Sequence, residues 1–368
     1  MNLIDRRLVQ SFHWGLLLLT LVLGGVGIAV LFSTTYVPGL VTKHLLYQKQ
    51  FYWLLIGSGV MILSVSLDYR KLEHYAYPIF IISLLLIGAV LVTGKTISGA
   101  RRWISIGGFT FQPSELIKLT FILALGKYIH NSRVEGGYTL RTLVGPTALL
   151  LVPFAGILLE PDLGTAMILL FIFLSIILFL KIRRSTLIAI VVLSLVTAPI
   201  GWASLKDYQK ERIMTFLNQE EDPHGQGWHI NQSKIAIGSG KFWGKGYMKG
   251  TQSRLQFLPE KHTDFIFSVI AEEWGFAGAV SLLLLYFLLI YWGVQVALNA
   301  KETFGAVLAI GVISMLFWHI VINIGMTLGM LPVVGVPLPF LSYGGTFLVI
   351  TMAGIGLLIN VSVRRFMF

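Results

Sequence analysis

The chain has no cysteine in 368 residues. That excludes disulfides, a thiolate nucleophile and any metal site built on cysteine. Charge is scarce as well: 12% of residues are Asp, Glu, Lys or Arg, against roughly 25% in soluble domains. Acids are the scarcer sign, 17 against 28 Lys and Arg. Segments of about ten residues with alternating polarity are missing, so a membrane β-barrel is excluded. Repeats and low-complexity stretches are also missing. What the chain has instead is apolar sequence: 55% of residues are hydrophobic and the mean hydropathy is +0.79. In water such a chain could not cover its surface with polar groups. In lipid the difficulty disappears, provided helices satisfy the backbone internally.

Apolar runs long enough to span hydrocarbon, about 20 residues each, recur along the chain. They predict spans over 12–32, 51–67, 75–93, 112–130, 142–159, 164–180, 184–204, 265–297, 303–328 and 345–363. The expected fold class is all-α: a polytopic membrane protein of about ten transmembrane helices, one domain over 1–368. The 265–297 window is too long for one span, so its start is expected to be an interfacial or partly buried turn. The run after Arg6 and Arg7 is longer than a secretory core and lacks a small-residue cleavage site, which predicts a retained first helix.

Lys and Arg in short loops set the orientation. One side holds Arg6, Arg7, Arg70, Lys71, Lys127, Arg133, Arg141, Lys181, Arg183, Arg184, Lys301, Arg364 and Arg365. The short loops of the other side hold Lys43, Lys49, Lys95, Arg101 and Arg102. Both termini are therefore expected in the cytoplasm, with a large loop of about 205–264 outside, between the seventh and eighth spans. A net charge of +11 does not imply nucleic acid here, because the cations are dispersed among apolar runs. The large loop is expected to carry a short helix around Trp228–Ile237, then a Gly-rich stretch.

Ionisable groups inside a membrane are costly, so each is a candidate for function. Glu115 and Lys118 share one face of the fourth span at i, i+3 spacing. They are either a self-neutralising pair or part of a site. Asp162, in Glu160-Pro161-Asp162-Leu163-Gly164-Thr165, is either an N-cap or a carboxylate facing an outward cavity. Arg101 and Arg102, beside Trp103, either touch lipid headgroups or hold a diphosphate, whose oxygens an Arg fork matches. The densest cluster is Glu260-Lys261-His262-Thr263-Asp264, just before the eighth span. There Asp264 is the candidate general base, and capping by Thr263 or Asp264 is the alternative. No other His has a spacing that would make His262 a metal ligand. Nothing in the sequence demands or excludes a divalent cation, so the cofactor stays unknown. The Pro- and Gly-rich segment Leu331–Thr346 is apolar and reads as re-entrant backbone or a tight loop.

Six blocks in order resemble the SEDS family (shape, elongation, division and sporulation proteins). They are Gly99-Ala100-Arg101-Arg102-Trp103; Gln112-Pro113-Ser114-Glu115; Glu160-Pro161-Asp162-Leu163-Gly164-Thr165; Gln232 to Gly240; Leu258-Pro259-Glu260 with His262-Thr263-Asp264-Phe265; and Pro339 to Gly345. Gly244-Lys245-Gly246 and Gly250-Thr251-Gln252-Ser253 resemble the elongation branch. Trp274 departs mildly from the pattern, where Leu is expected.

The resemblance implies a peptidoglycan glycosyltransferase that polymerises lipid II into β-1,4-linked strands at the outer face of the cytoplasmic membrane. It implies a class B penicillin-binding protein as transpeptidase partner, within the elongation machinery. The family's essential Asp falls on Asp264, its paired acid and base on Glu115 and Lys118, and its Asp after Glu-Pro on Asp162. Arg101, Arg102, Lys118 and Lys261 are the candidate diphosphate contacts; Trp103, Ser253, Glu260, His262 and Thr263 complete the substrate-binding candidates. Two other readings stay open: a transporter that flips lipid II, and a scaffold that only recruits the transpeptidase.

Overall fold

The computed structural model describes residues 12–35, 45–97, 100–106, 109–132, 134, 136–204, 207–218, 226–255, 257–258 and 260–365. Among them are ten long helices at the ten predicted positions. These are α1 (Trp14–Thr35), α2 (Leu45–Ser66), α3 (Tyr69–Thr93), α4 (Pro113–Ser132), α5 (Leu140–Leu159), α6 (Leu163–Phe179), α7 (Arg184–Ser204), α11 (Ile266–Leu298), α12 (Thr303–Thr327) and α13 (Gly345–Arg364). Three shorter helices fall between α7 and α11: α8 (Asp207–Leu217), α9 (Gln226–Ser239) and α10 (Thr251–Arg254). The protein is an all-α polytopic membrane protein. Seven of its described helices are long and apolar enough by themselves to cross a bilayer. The other three long ones are α6, apolar but 17 residues, and α2 and α4, whose apolar runs are interrupted by groups such as Gln50, Glu115 and Lys118.

Burial separates the centre from the rim. The apolar window of α13 is 83% buried and that of α12 is 72%, against 6% for α7. Helices α12 and α13 therefore form the middle of the bundle. Around them α2 packs on α13, while α4, α6 and α11 pack on α12. Proline opens α4, at the first helical position, where its missing N–H costs nothing.

One small sheet is added to the expected all-helical fold. Strands β1 (Lys95–Ile97), β2 (Ala100–Ile106) and β3 (Phe109–Phe111) pair antiparallel in the order β1-β2-β3. It carries Arg101, Arg102 and Trp103 on β2. The period-two alternation of a strand turns Arg101 outward and leaves Arg102 half-buried.

The over-long window does break, but its start is a buried stretch of helix and not the interfacial or partly buried turn expected. At Gly275, φ 67° and ψ −164° break α11 into 266–274 and 276–298. Only glycine adopts that backbone region readily. The kink frees backbone groups, and the Gly-rich stretch of the large loop takes them up. Lys245 N donates to Glu272 O (3.0 Å) and Gly246 N to Glu273 O (2.9 Å). Phe276 N donates to Lys241 O (2.9 Å) and Ala277 N to Phe242 O (3.0 Å). Contact this close requires Gly244, where a Cβ would stand 2.1 Å from Glu273 O.

The Pro- and Gly-rich segment before α13 is non-helical yet buried. Val336, Leu338, Phe340 and Leu341 are all in the core. Its backbone is held by side chains from distant helices. Tyr286 Oη donates to Pro339 O (2.6 Å), Asn323 Nδ2 to Val336 O (2.7 Å) and Gln50 Nε2 to Ser342 O (3.1 Å). This is the environment that lets irregular backbone persist inside a membrane protein.

Candidate active site

A cavity of about 410 Å3 lies where the buried segment, β2, α4, α6, α8, α12, the start of α13 and the turn before α11 meet. It is lined by Arg102, Trp103, Gln112, Glu115, Asp162, Thr165, Arg212, Glu260, Thr263, Asp264, His319, Val334, Gly335, Val336, Pro337, Tyr343, Gly344, Thr346 and Phe347. Four carboxylates thus face one space, beside two arginines.

Asp264 ends the large loop, two residues before α11. The cap position of that helix is Phe265, and no side chain caps it. The capping alternative for Thr263 and Asp264 therefore fails. Backbone bonds hold Asp264 in place: its N donates to Glu260 O (3.0 Å), and its O accepts from Asn323 Nδ2 (3.0 Å). The carboxylate is left for the cavity, with Oδ2 3.5 Å from where a Cβ on Gly335 would stand. Burial, with the Glu260 charge, pushes its pKa up to about 6. A hydrogen bond from Thr263 and the positive charge of Arg212 pull the other way.

Asp162 is both things that the sequence left open. It caps α6, accepting from Thr165 N (3.2 Å) and Thr165 Oγ1 (3.0 Å). It also faces the cavity, with Gln112 Nε2 at 3.3 Å and Arg102 Nη1 at 3.7 Å from Oδ2. Arg102 also donates through Nε to Glu160 O (3.2 Å) and through Nη2 to Pro161 O. It therefore clamps the 160–162 turn.

Glu160 beneath that clamp is fully buried, and neither carboxylate oxygen has a hydrogen-bond partner among the described residues. Burial, with the nearby Asp162 charge, raises its pKa to about 8. It is neutral at pH 7. An unfolded Glu titrates near 4.5, so between about pH 4.5 and about pH 8 the folded state binds the extra proton and stability falls as pH rises. Glu160→Gln removes that slope. Its Tm is expected to exceed that of wild type by a few °C near pH 8 and by less near pH 5. Identical Tm differences at the two pH values would mean that Glu160 is ionised in the fold.

Glu115 and Lys118 form a buried ion pair, Nζ to Oε2 2.8 Å. Lys118 Nζ also donates to His319 Nε2 (2.9 Å), and His319 Nδ1 donates to the Pro337 carbonyl (3.1 Å). A carbonyl only accepts, so Nδ1 carries the imidazole proton and Nε2 takes the bond from lysine. The chain of contacts joins α4, α12 and the buried segment, and Glu115 and His319 both open on the cavity.

Five predicted site residues stand outside the lining, among them Lys118, which lies behind Glu115 and His319. Arg101 is exposed on β2. Ser253 is buried under Glu272, whose carboxylate accepts from Thr251 N (2.7 Å), Gln252 N (2.9 Å) and Ser253 N (3.3 Å). Lys261 Nζ donates to Ser253 O, and His262 Nδ1 meets Thr34 Oγ1 at 3.0 Å. Tyr343 N donates to His262 O (2.8 Å). These groups brace the turn that carries Asp264 rather than face the cavity. Among the described residues, no group of three or more His, Asp or Glu has the arrangement of a metal site.

The model of the FtsW/RodA/SpoVE family, described as cell cycle proteins, matches residues 13–366. The chain belongs to this family. Peptidoglycan glycosyltransferase MrdB of Escherichia coli K12 is 43% identical, over 84% of each chain. Peptidoglycan glycosyltransferase RodA of Treponema pallidum is 33% identical, over 98% of this chain and 99% of its own. Among solved structures, one chain of a peptidoglycan synthase complex that coordinates polymerization and crosslinking superposes with TM-score 0.84. It is 34% identical, covering 97% of this chain and 99% of that one. The rod shape determining protein RodA of Thermus thermophilus gives TM-score 0.72 at 31% identity, covering 96% and 98%. Within the family the chain is RodA-like, as its Gly-Thr-Gln-Ser run suggested.

Two cavity residues of this family member escaped the sequence reading. His319 carried a usable signal, an ionisable group inside an apolar span. Arg212 carried none, being one of nine cations in the large loop.

Proposed function

We propose that this chain is the peptidoglycan glycosyltransferase of cell elongation, polymerising lipid II with Asp264 as general base. The observation that carries the reading is the Asp264 carboxylate, free of any capping duty, in a polar cavity of about 410 Å3 with a pKa of about 6. A base titrating there is ionised at neutral pH and still strong enough to accept a proton as bonding proceeds. The acceptor is the C4 hydroxyl of a lipid II sugar. As its oxygen bonds to the donor's anomeric carbon, its proton passes to Asp264. The carbon–diphosphate bond breaks, and the electron pair leaves on the phosphate. This is a single inverting displacement, with no covalent enzyme intermediate.

The relatives named peptidoglycan glycosyltransferases support the reaction class, at identities of 33% and 43%. Similarity to a chain of a peptidoglycan synthase complex supports a class B penicillin-binding protein as the crosslinking partner. The Lys and Arg bias supports cytoplasmic termini and an outward-facing cavity in the cytoplasmic membrane. Purified protein given fluorescent lipid II, with and without the cognate transpeptidase, should make glycan polymer resolved on a gel. If lipid II stays unpolymerised even with the partner present, the enzyme reading fails and lipid flipping takes its place.

A further inference from the structure

Asp264 stands in a turn and its side chain caps nothing, so the place of its carboxylate depends on what holds the backbone of that turn. Three successive carbonyls of the turn accept bonds from outside it. His262 O accepts from the backbone N of Tyr343 (2.8 Å), Thr263 O from Ser342 Oγ (2.5 Å) and Asp264 O from Asn323 Nδ2 (3.0 Å). Two of the three donors belong to residues 342–343, in the irregular backbone before α13.

That backbone has no helical or strand ladder to hold it. Ser342 is tied to its own segment through Leu338, whose N donates to Ser342 Oγ (2.8 Å) and whose O accepts from Ser342 N (3.0 Å). A tie to a membrane helix comes from α2. Gln50 is 1% exposed, and its amide uses both ends on one tripeptide. Nε2 donates to Ser342 O (3.1 Å) and Oε1 accepts from Gly344 N (3.3 Å), one on each side of Tyr343. Packing alone would be served by an apolar side chain in this helix. A buried amide carries a desolvation cost, and both of its bonds fall on the residues that grip the Asp264 turn.

We propose that Gln50 is a positioning residue for the base: it fixes Ser342–Gly344, and through the Ser342 hydroxyl and the Tyr343 backbone it holds Asp264 in its reactive place. The assignment rests on the glycosyltransferase reading. Gln50 is not among the residues that line the cavity, so its effect passes through the segment. Proton transfer needs hydroxyl and carboxylate within hydrogen-bond reach, and a misplacement of about 1 Å can cost about 100-fold.

The test compares wild type, Gln50→Met, Ser342→Ala and the double variant, each purified with the transpeptidase partner and given fluorescent lipid II, with rates taken per folded molecule. Gln50→Met keeps the length of the side chain without either bond. It is expected to lower kcat about 10- to 100-fold, with KM within about threefold of wild type. The acid limb of the rate profile should also move to lower pH. Burial is the main cause that raises the Asp264 pKa, and a loosened turn admits water to the carboxylate. Arg102, Glu115, Asp162, Arg212, Glu260, His319 and Tyr343 also face the cavity and are unchanged in the series. A merely structural role would lower Tm and leave kcat per folded molecule and the limb in place. Ser342→Ala removes the next link and should give the same signature. Because the two act in series, the double variant should be no more than about threefold slower than the slower single variant.

Wild-type kcat and acid limb in folded Gln50→Met would overturn the assignment, as would losses that multiply in the double variant. If Gln50→Met does not fold, wild-type kcat and acid limb in Ser342→Ala overturn it. A wild type that makes no polymer removes the glycosyltransferase reading first, and the assignment with it.

Discussion

Asp264→Asn is expected to abolish polymer formation while leaving the protein folded. The loss should be about 100- to 10,000-fold, the span of a general base's contribution. Stability is the control, and the structure makes it a sharp one. The Asp264 side chain caps nothing, and its turn is held by backbone bonds to Glu260 and Asn323. Asn also ends repulsion with Glu260, the charge that helps raise the Asp264 pKa. The variant should therefore melt at or slightly above wild type. A folded variant that polymerises normally would move the base elsewhere, with Glu115 and Asp162 next.

The wild-type pH profile follows from the same carboxylate. Its pKa is raised to about 6, so the active, ionised form is lost as pH falls through about 6, at about tenfold per unit below it. Glu260→Gln removes a neighbouring negative charge. It should lower the Asp264 pKa and carry the acid limb downward. A limb that stays in place or moves upward would show that the observed ionisation is not that of Asp264.

The bundle was legible because lipid imposes a length and a polarity on every span. Even the kink at Gly275 was announced, by a window too long for one crossing. Local capping was legible only as a choice, since Asp162 both caps α6 and faces the cavity, and sequence cannot weigh one oxygen against the other. What stayed hidden depends on contacts far apart in the chain. Ser253, Lys261 and His262 sit beside Asp264 in the sequence and read as substrate contacts. In three dimensions they hold Glu272, Ser253 O and Thr34, and steady the turn from behind. Arg212 lies 52 residues from Asp264 along the chain, counted as 264 minus 212, and no local pattern marks it. Asn323 and Gln50 look like ordinary polar interruptions of a span until they are seen holding the segment that lines the cavity.

The pair Glu115–Lys118 separates tolerated burial from function. Lys118→Met alone leaves a buried carboxylate without its counter-ion, since both side chains are almost fully enclosed. Breaking such a pair costs about 3–5 kcal/mol, so Tm should fall by on the order of 10 °C. Adding Glu115→Gln removes the orphaned charge and should restore most of that loss. A residual deficit is expected, because His319 Nε2 still lacks the donor that Lys118 supplied. If the pair only neutralised itself, the double variant would polymerise lipid II like wild type once its stability returned. The contacts argue otherwise. Lys118 fixes His319, His319 fixes the Pro337 carbonyl, and His319, Glu115 and Pro337 all line the cavity with Asp264. Removing the lysine releases that wall, and small displacements of a reacting pair are costly. The double variant should therefore be folded, near wild type in Tm, and slower by about 10- to 100-fold. Stability that returns together with full activity would reduce the pair to packing; stability without activity makes it part of the site.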